Sequence, residues 1–135
     1  MIKKFVQSDW NKMRLQPEQC GEELVDLTKE PNAYSVWAGE DLLGFVWWRQ
    51  IWSGRFEVYS YINQTAGKHM IYLVRELRRF IEQKAAEAKA VRVEITVLAG
   101  FAPGERLAEM LGFDYEGTMR KVYRGADYKL FARIF

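Results

Sequence analysis

Apolar residues along the chain switch between a helical and an extended period, and the switches divide the chain into short blocks. Ser8 is placed to cap a short helix over Asp9–Leu15, and Pro17 suits the first turn of a second over Glu18–Thr28, which Pro31 ends. Two apolar runs follow, Ala33–Ala38 and Leu42–Gln50, and the polar joint Gly39-Glu40-Asp41 makes them a β-hairpin. Beyond Ser53-Gly54 comes Phe56–Asn63, a run of aromatic and branched residues. Its alternation puts Phe56, Val58, Ser60 and Ile62 on one face and Glu57, Tyr59, Tyr61 and Asn63 on the other.

The strongest helical pattern covers His69–Lys89. Met70, Leu73, Val74, Leu77, Phe80, Ile81 and Ala85 recur at three- and four-residue steps, with Arg75, Arg78, Arg79 and Glu82 opposite. Those arginines read as a solvated face, paired as Arg78–Glu82 and Glu76–Arg79. Val91–Leu98 then alternates cleanly, so Phe56–Leu98 is predicted to be a parallel strand–helix–strand unit with a right-handed crossover. A short helix over Glu105–Leu111 stops at Gly112, a left-handed cap. Strands Asp114–Arg124 and Asp127–Ile134 close the chain. The expectation is one α/β domain over residues 1–135, with a mixed, mostly antiparallel sheet, a central parallel βαβ unit and helices on both faces.

Composition narrows the function. Twenty Lys and Arg against eighteen Asp and Glu leave a net charge of +2, too near neutrality for an electrostatic nucleic-acid or membrane-surface binder. One cysteine, Cys20, and one histidine, His69, exclude an intramolecular disulfide and an ordinary Cys/His zinc cluster. No apolar run reaches membrane-spanning length, and Met1-Ile-Lys-Lys-Phe has no signal-peptide core, which reads as a soluble protein of a reducing compartment. Aromatic residues make up 15% of the chain, and adjacent Trp47 and Trp48 must point to opposite faces of their strand. With Trp52 they form either a partner interface or rings covered on both faces of the sheet.

Several joints carry a family pattern. The segment Glu105-Arg-Leu-Ala-Glu-Met-Leu-Gly-Phe-Asp-Tyr-Glu-Gly-Thr-Met-Arg120 and the closing run Asp127-Tyr-Lys-Leu-Phe-Ala-Arg133 sit at the end of the element order above. Together they resemble the GNAT family of acyl-CoA-dependent N-acetyltransferases, nearest the branch that acetylates protein N-termini and similar amines. The resemblance implies acetyl-CoA as co-substrate, a protein or small-molecule amine as acceptor, and a cytoplasmic enzyme, monomer or homodimer. It implies that backbone N–H groups at Tyr61, Ile62 and Asn63 hold the pantetheine arm like an added strand.

The family's pyrophosphate loop, Gln/Arg-x-x-Gly-x-Gly/Ala, corresponds to Gln64-Thr-Ala-Gly-Lys-His69. Gln64 and Gly67 match, His69 departs from the pattern, and Lys68 and His69 supply charged donors to phosphate instead. His69 equally suits a surface or capping place. Glu57 and Glu94, mid-strand carboxylates, are the candidates for deprotonating the amine; each otherwise lies on a solvated face or pairs with an arginine. The tyrosine many relatives use to protonate the leaving thiolate is replaced by Ala108, with Tyr115 and Tyr123 as substitutes. A small aromatic-rich chain with an altered loop is also similar to GNAT-like proteins of tailed bacteriophages. That likeness implies the alternative, a non-catalytic fold used to bind a protein in the host cytoplasm or the virion.

Overall fold

The computed structural model describes residues 1–19 and 24–135. Strands β1 (Ile2–Lys4), β2 (Ala33–Ala38), β3 (Asp41–Trp52), β4 (Arg55–Ile62), β5 (Arg92–Leu98), β6 (Asp114–Tyr123) and β7 (Ala126–Ile134) form one sheet in the order β1-β2-β3-β4-β5-β7-β6. The pairs β1–β2, β2–β3, β5–β7 and β6–β7 are antiparallel. β4 and β5 are parallel, joined by helix α1 (Met70–Glu87), so the predicted crossover unit is present. Helix α2 (Ala102–Met110) precedes β6.

Several boundaries move for local reasons. β3 runs two residues past its expected end because Ser53-Gly54 closes a tight turn, with Gly54 at φ +79°. α2 begins before Glu105 because Pro103 falls in its first turn, where a missing N–H breaks no bond. Gly112 caps it in the left-handed region, as the sequence predicts. The two N-terminal helices are corrected to short 3₁₀ turns at Gln7–Lys12, Pro17–Gln19 and Leu27–Lys29. Residues 20–23 of the predicted second helix lie outside the described residues.

Two compact units divide the chain, residues 1–48 with 59–76 and residues 49–58 with 77–135. The first is built round Met13, Leu27, Trp37, Phe45 and Trp47, with Trp10, Tyr59 and Tyr61 packed against them. The second buries Phe56, Leu77, Phe80, Ile81, Val93 and Phe131. Among the described residues, no helix is long and apolar enough to cross a membrane.

Candidate functional site

The end of β4 is organised by one side chain. Asn63 is 2% exposed and all of its amide capacity is used. Its Nδ2 donates to the carbonyls of Lys12 (2.8 Å) and Leu42 (3.0 Å), and its Oδ1 accepts from the N–H groups of Arg14 (3.3 Å) and Thr65 (3.4 Å). Its own N–H donates to the Leu43 carbonyl on β3 at 2.8 Å.

That last bond fixes which way β4 faces. In an antiparallel ladder the N–H and C=O of one residue point to the same neighbour, and successive residues alternate. With Asn63 bonded to β3, the backbone of Ser60 and Ile62 turns to the opposite edge. Of the three expected pantetheine donors, only Ile62 lies there. The Asn63 N–H is spent inside the sheet, and Tyr61 shares its orientation. β3 also approaches β4 closely at Gly44, where a Cβ would lie 2.5 Å from the Tyr61 carbonyl oxygen.

β4 then enters a 3₁₀ turn, Gln64–His69, that leads directly into α1. Part of its backbone is bonded internally: the Ala66 N–H donates to the Asn63 carbonyl and the Met70 N–H to the Gly67 carbonyl. A Cβ at Gly67 would meet nothing within 4 Å, so the space beside this backbone is open. Gln64, expected at the phosphate, instead ties the turn to the N-terminal segment. Its N–H donates to the Arg14 carbonyl at 2.9 Å and its side chain donates to the Leu15 carbonyl.

Lys68 and His69 do come together, but on a carboxylate that the sequence did not reveal. His69 Nε2 lies 3.0 Å and Lys68 Nζ 3.6 Å from Asp41 Oδ2. The hydrogen bond with His69, then the charge of Lys68, holds the Asp41 carboxyl below the usual aspartate range. Hydrogen bonds from Arg92 and Lys129 do the same for Glu116 and Glu105. A carboxyl depressed in the folded state stabilises it above the unfolded value, near pH 4, and loses that contribution as pH falls through the lower folded value. Stability to urea should therefore be level from pH 7 to about 5 and fall below about 4. Asp41→Asn should remove part of that decline, less so in high salt.

In the second unit the parallel ladder sets Arg55 opposite Arg92, Phe56 opposite Val93, and Glu57 opposite Glu94. Phe56 and Val93 are buried; the four charged residues share the other face by strand alternation. Glu94 is nonetheless 4% exposed. Arg55 donates to it from Nε (3.1 Å) and Nη2 (3.0 Å), and Arg92 from Nε (2.9 Å). Arg92 also holds Glu116 with both terminal nitrogens, at 3.0 and 2.5 Å. Three N–H donors on one carboxylate suit a structural ion, the arginine-paired alternative, rather than a proton acceptor. Glu94→Gln should lower stability by about 2 kcal/mol in guanidinium unfolding, below the cost of a fully buried pair because both arginines are partly exposed. Glu57 is half-buried on the same face.

Ala108 is buried in α2, so no hydroxyl occupies the position of the missing tyrosine. Tyr115 shares a 2.7 Å hydrogen bond with Thr118 Oγ1, and Tyr123 is exposed. The tryptophans separate. Trp47 is 3% exposed and stacks on Tyr59 at 5.4 Å, which corrects its expected place in a partner surface: it belongs to the core. Trp48 is half-buried, and Trp52, at 70%, stands in solvent.

No family model and no curated protein matches the sequence. Solved structures do match the backbone. A GNAT-family acetyltransferase from Bacillus anthracis superposes with a TM-score of 0.69 at 16% identity, over 80% of this chain and 70% of that one. The fold is that of the GNAT acetyltransferases. A ribosomal-protein α-N-acetyltransferase in complex with coenzyme A gives a TM-score of 0.67 at 16% identity, covering 76% of this chain and 61% of that one. A spermidine N-acetyltransferase variant from Vibrio cholerae gives 0.64 at 19%, covering 76% and 64%. This chain thus spans about two thirds of the length of these GNAT structures. Their acceptors are a protein in one and a polyamine in another, so the shared fold does not choose between them.

Proposed function

We propose that the chain is an acetyl-CoA-dependent N-acetyltransferase that transfers the acetyl group directly to an amine of a protein or small molecule. The observation that carries this reading is the course of β4. Its edge turned from β3 presents Ser60 and Ile62, and it runs into a turn opened by Gly67, ahead of the 18-residue helix α1. An extended pantetheine arm fits such an edge, and pyrophosphate fits the open turn at the positive end of a helix.

Lys68 and His69 are at hand for phosphate once they leave Asp41, which a doubly charged group outcompetes. Glu57, earlier on β4, takes the ammonium proton. The neutral amine then forms the C–N bond and the C–S bond breaks. The second N–H proton, shed as the amide forms, passes to the departing thiolate, since Ala108 offers no side-chain acid, and coenzyme A leaves as the thiol. The relative solved with coenzyme A supports the choice of co-substrate.

Thermal unfolding with acetyl-CoA tests the reading. The midpoint should rise with cofactor concentration, by several degrees once it exceeds the dissociation constant about a hundredfold. An unchanged midpoint at millimolar cofactor sinks the proposal. Gly67→Glu should melt like the parent alone, because its Cβ meets nothing within 4 Å, yet show no rise with acetyl-CoA.

A further inference from the structure

One stretch of chain already lies on the β4 edge assigned above to pantetheine. The Gln16 side chain donates from Nε2 to the Ile62 carbonyl at 3.3 Å, and Gln19 donates from Nε2 to the Ser60 carbonyl at 3.2 Å. These are two of the carbonyls that β4 turns away from β3, the pair nearest its C-terminal end. The donors are carboxamide N–H groups, the same chemical kind as the two secondary amides of a pantetheine arm. An arm running along that edge as an added strand needs the same in-plane lone pairs.

The segment is rooted at its N-terminal end, and its described hydrogen bonds thin out past Leu15. Lys12, Arg14 and Leu15 are fastened through their backbones to Asn63 and Gln64 by four hydrogen bonds. Past Leu15 the 3₁₀ turn Pro17–Gln19 supports itself, the Gln19 N–H donating to the Gln16 carbonyl. Among the described residues, its side-chain hydrogen bonds to β4 are the two carboxamide bonds, both on the long side for N–H···O.

We infer that residues 16–19 are a strap that imitates the cofactor's amides, and that coenzyme A binds by displacing the Gln16 and Gln19 carboxamides from Ile62 and Ser60. This rests on the acetyltransferase reading and adds regulation to the same site. Occupancy of the edge then depends on a competition within the chain, and whatever lifts the strap raises cofactor affinity.

The test compares the parent chain with Gln16→Ala/Gln19→Ala by titration calorimetry, using coenzyme A and acetyl-CoA as probes. Loss of two neutral hydrogen bonds from the competing state should tighten binding about tenfold. A second double variant, Gln16→Met/Gln19→Met, keeps side-chain length without the donors and should behave alike. In the parent, the amides of Gln16, Glu18 and Gln19 should exchange hydrogen faster when coenzyme A is added. Unchanged or weaker binding by both variants, or slower exchange at those amides, overturns the strap and makes the segment a wall that closes on the cofactor. Binding by a double variant where the parent shows none supports it most strongly. Failure of parent and variants alike to bind, with melting intact, overturns the strap together with the acetyltransferase reading.

Discussion

Replacing Asn63 with alanine should lower the thermal midpoint by about 10 °C, corresponding to about 3–4 kcal/mol for a chain of this size. The side chain is an asparagine by necessity. Two carbonyls, of Lys12 and Leu42, require donors from it, and two N–H groups, of Arg14 and Thr65, require an acceptor. Truncation leaves these groups without their partner in a place that is almost dry, which costs more than the bonds themselves contribute. Asn63→Asp is the informative companion. It keeps shape and acceptor but turns a second oxygen toward the Lys12 and Leu42 carbonyls, so it should be no better than alanine. A change below about 3 °C in either variant would show that the N-terminal segment is held by other means.

Gly44→Ala should be nearly as costly, at about 3 kcal/mol, the upper end for an overpacked interior. The added methyl would stand 2.5 Å from the Tyr61 carbonyl oxygen and 3.3 Å from Ile62 Cα, both backbone atoms that no rotamer change can move. β4 would have to shift where it turns Ile62 outward, so under the proposed function acetyl-CoA binding should weaken in the fraction that folds. Gly67→Ala supplies the contrast. With open space around its Cβ, its midpoint should stay within about 1 °C of the parent. Equal melting of the two alanine variants would mean that β3 and β4 are not locked at Gly44.

The long elements were legible because their periods are long enough to count. Seven apolar positions mark α1, and the alternation of Val91–Leu98 marks β5. β1 escaped notice because Ile2-Lys3-Lys4 has one apolar residue and no repeat; its pairing with Tyr34–Val36 makes it a strand. The N-terminal helices failed for the opposite reason. Capping residues signalled starts, but Trp10, Met13 and Leu15 pack on the aromatic cluster of the first unit, and 3₁₀ turns bring them there. The candidate site was readable as a location and poorly as chemistry. Asn63, Gln64, Gly67, Lys68 and His69 all fall at the joint of β4 and α1, yet all but Gly67 reach partners remote in sequence, up to 51 positions away. Asp41, Gln16 and Gln19 left no local trace. Glu94 did leave one: Arg55-Phe-Glu57 and Arg92-Val-Glu94 share the spacing Arg-x-Glu, which on parallel neighbours sets arginine diagonally across from glutamate.

β6 is the outermost strand on its side of the sheet, and its pairing with β7 slips twice, between Tyr115 and Gly117 and between Met119 and Tyr123. Lys121 lies in the left-handed region at φ 50°, its N–H bonded to Asp127 Oδ1. A foreign strand laid along this margin finds its pattern of donors and acceptors interrupted every few residues, with lysine and arginine among the side chains it meets. Its broken register and its charges make this ten-residue rim a poor template for a further strand.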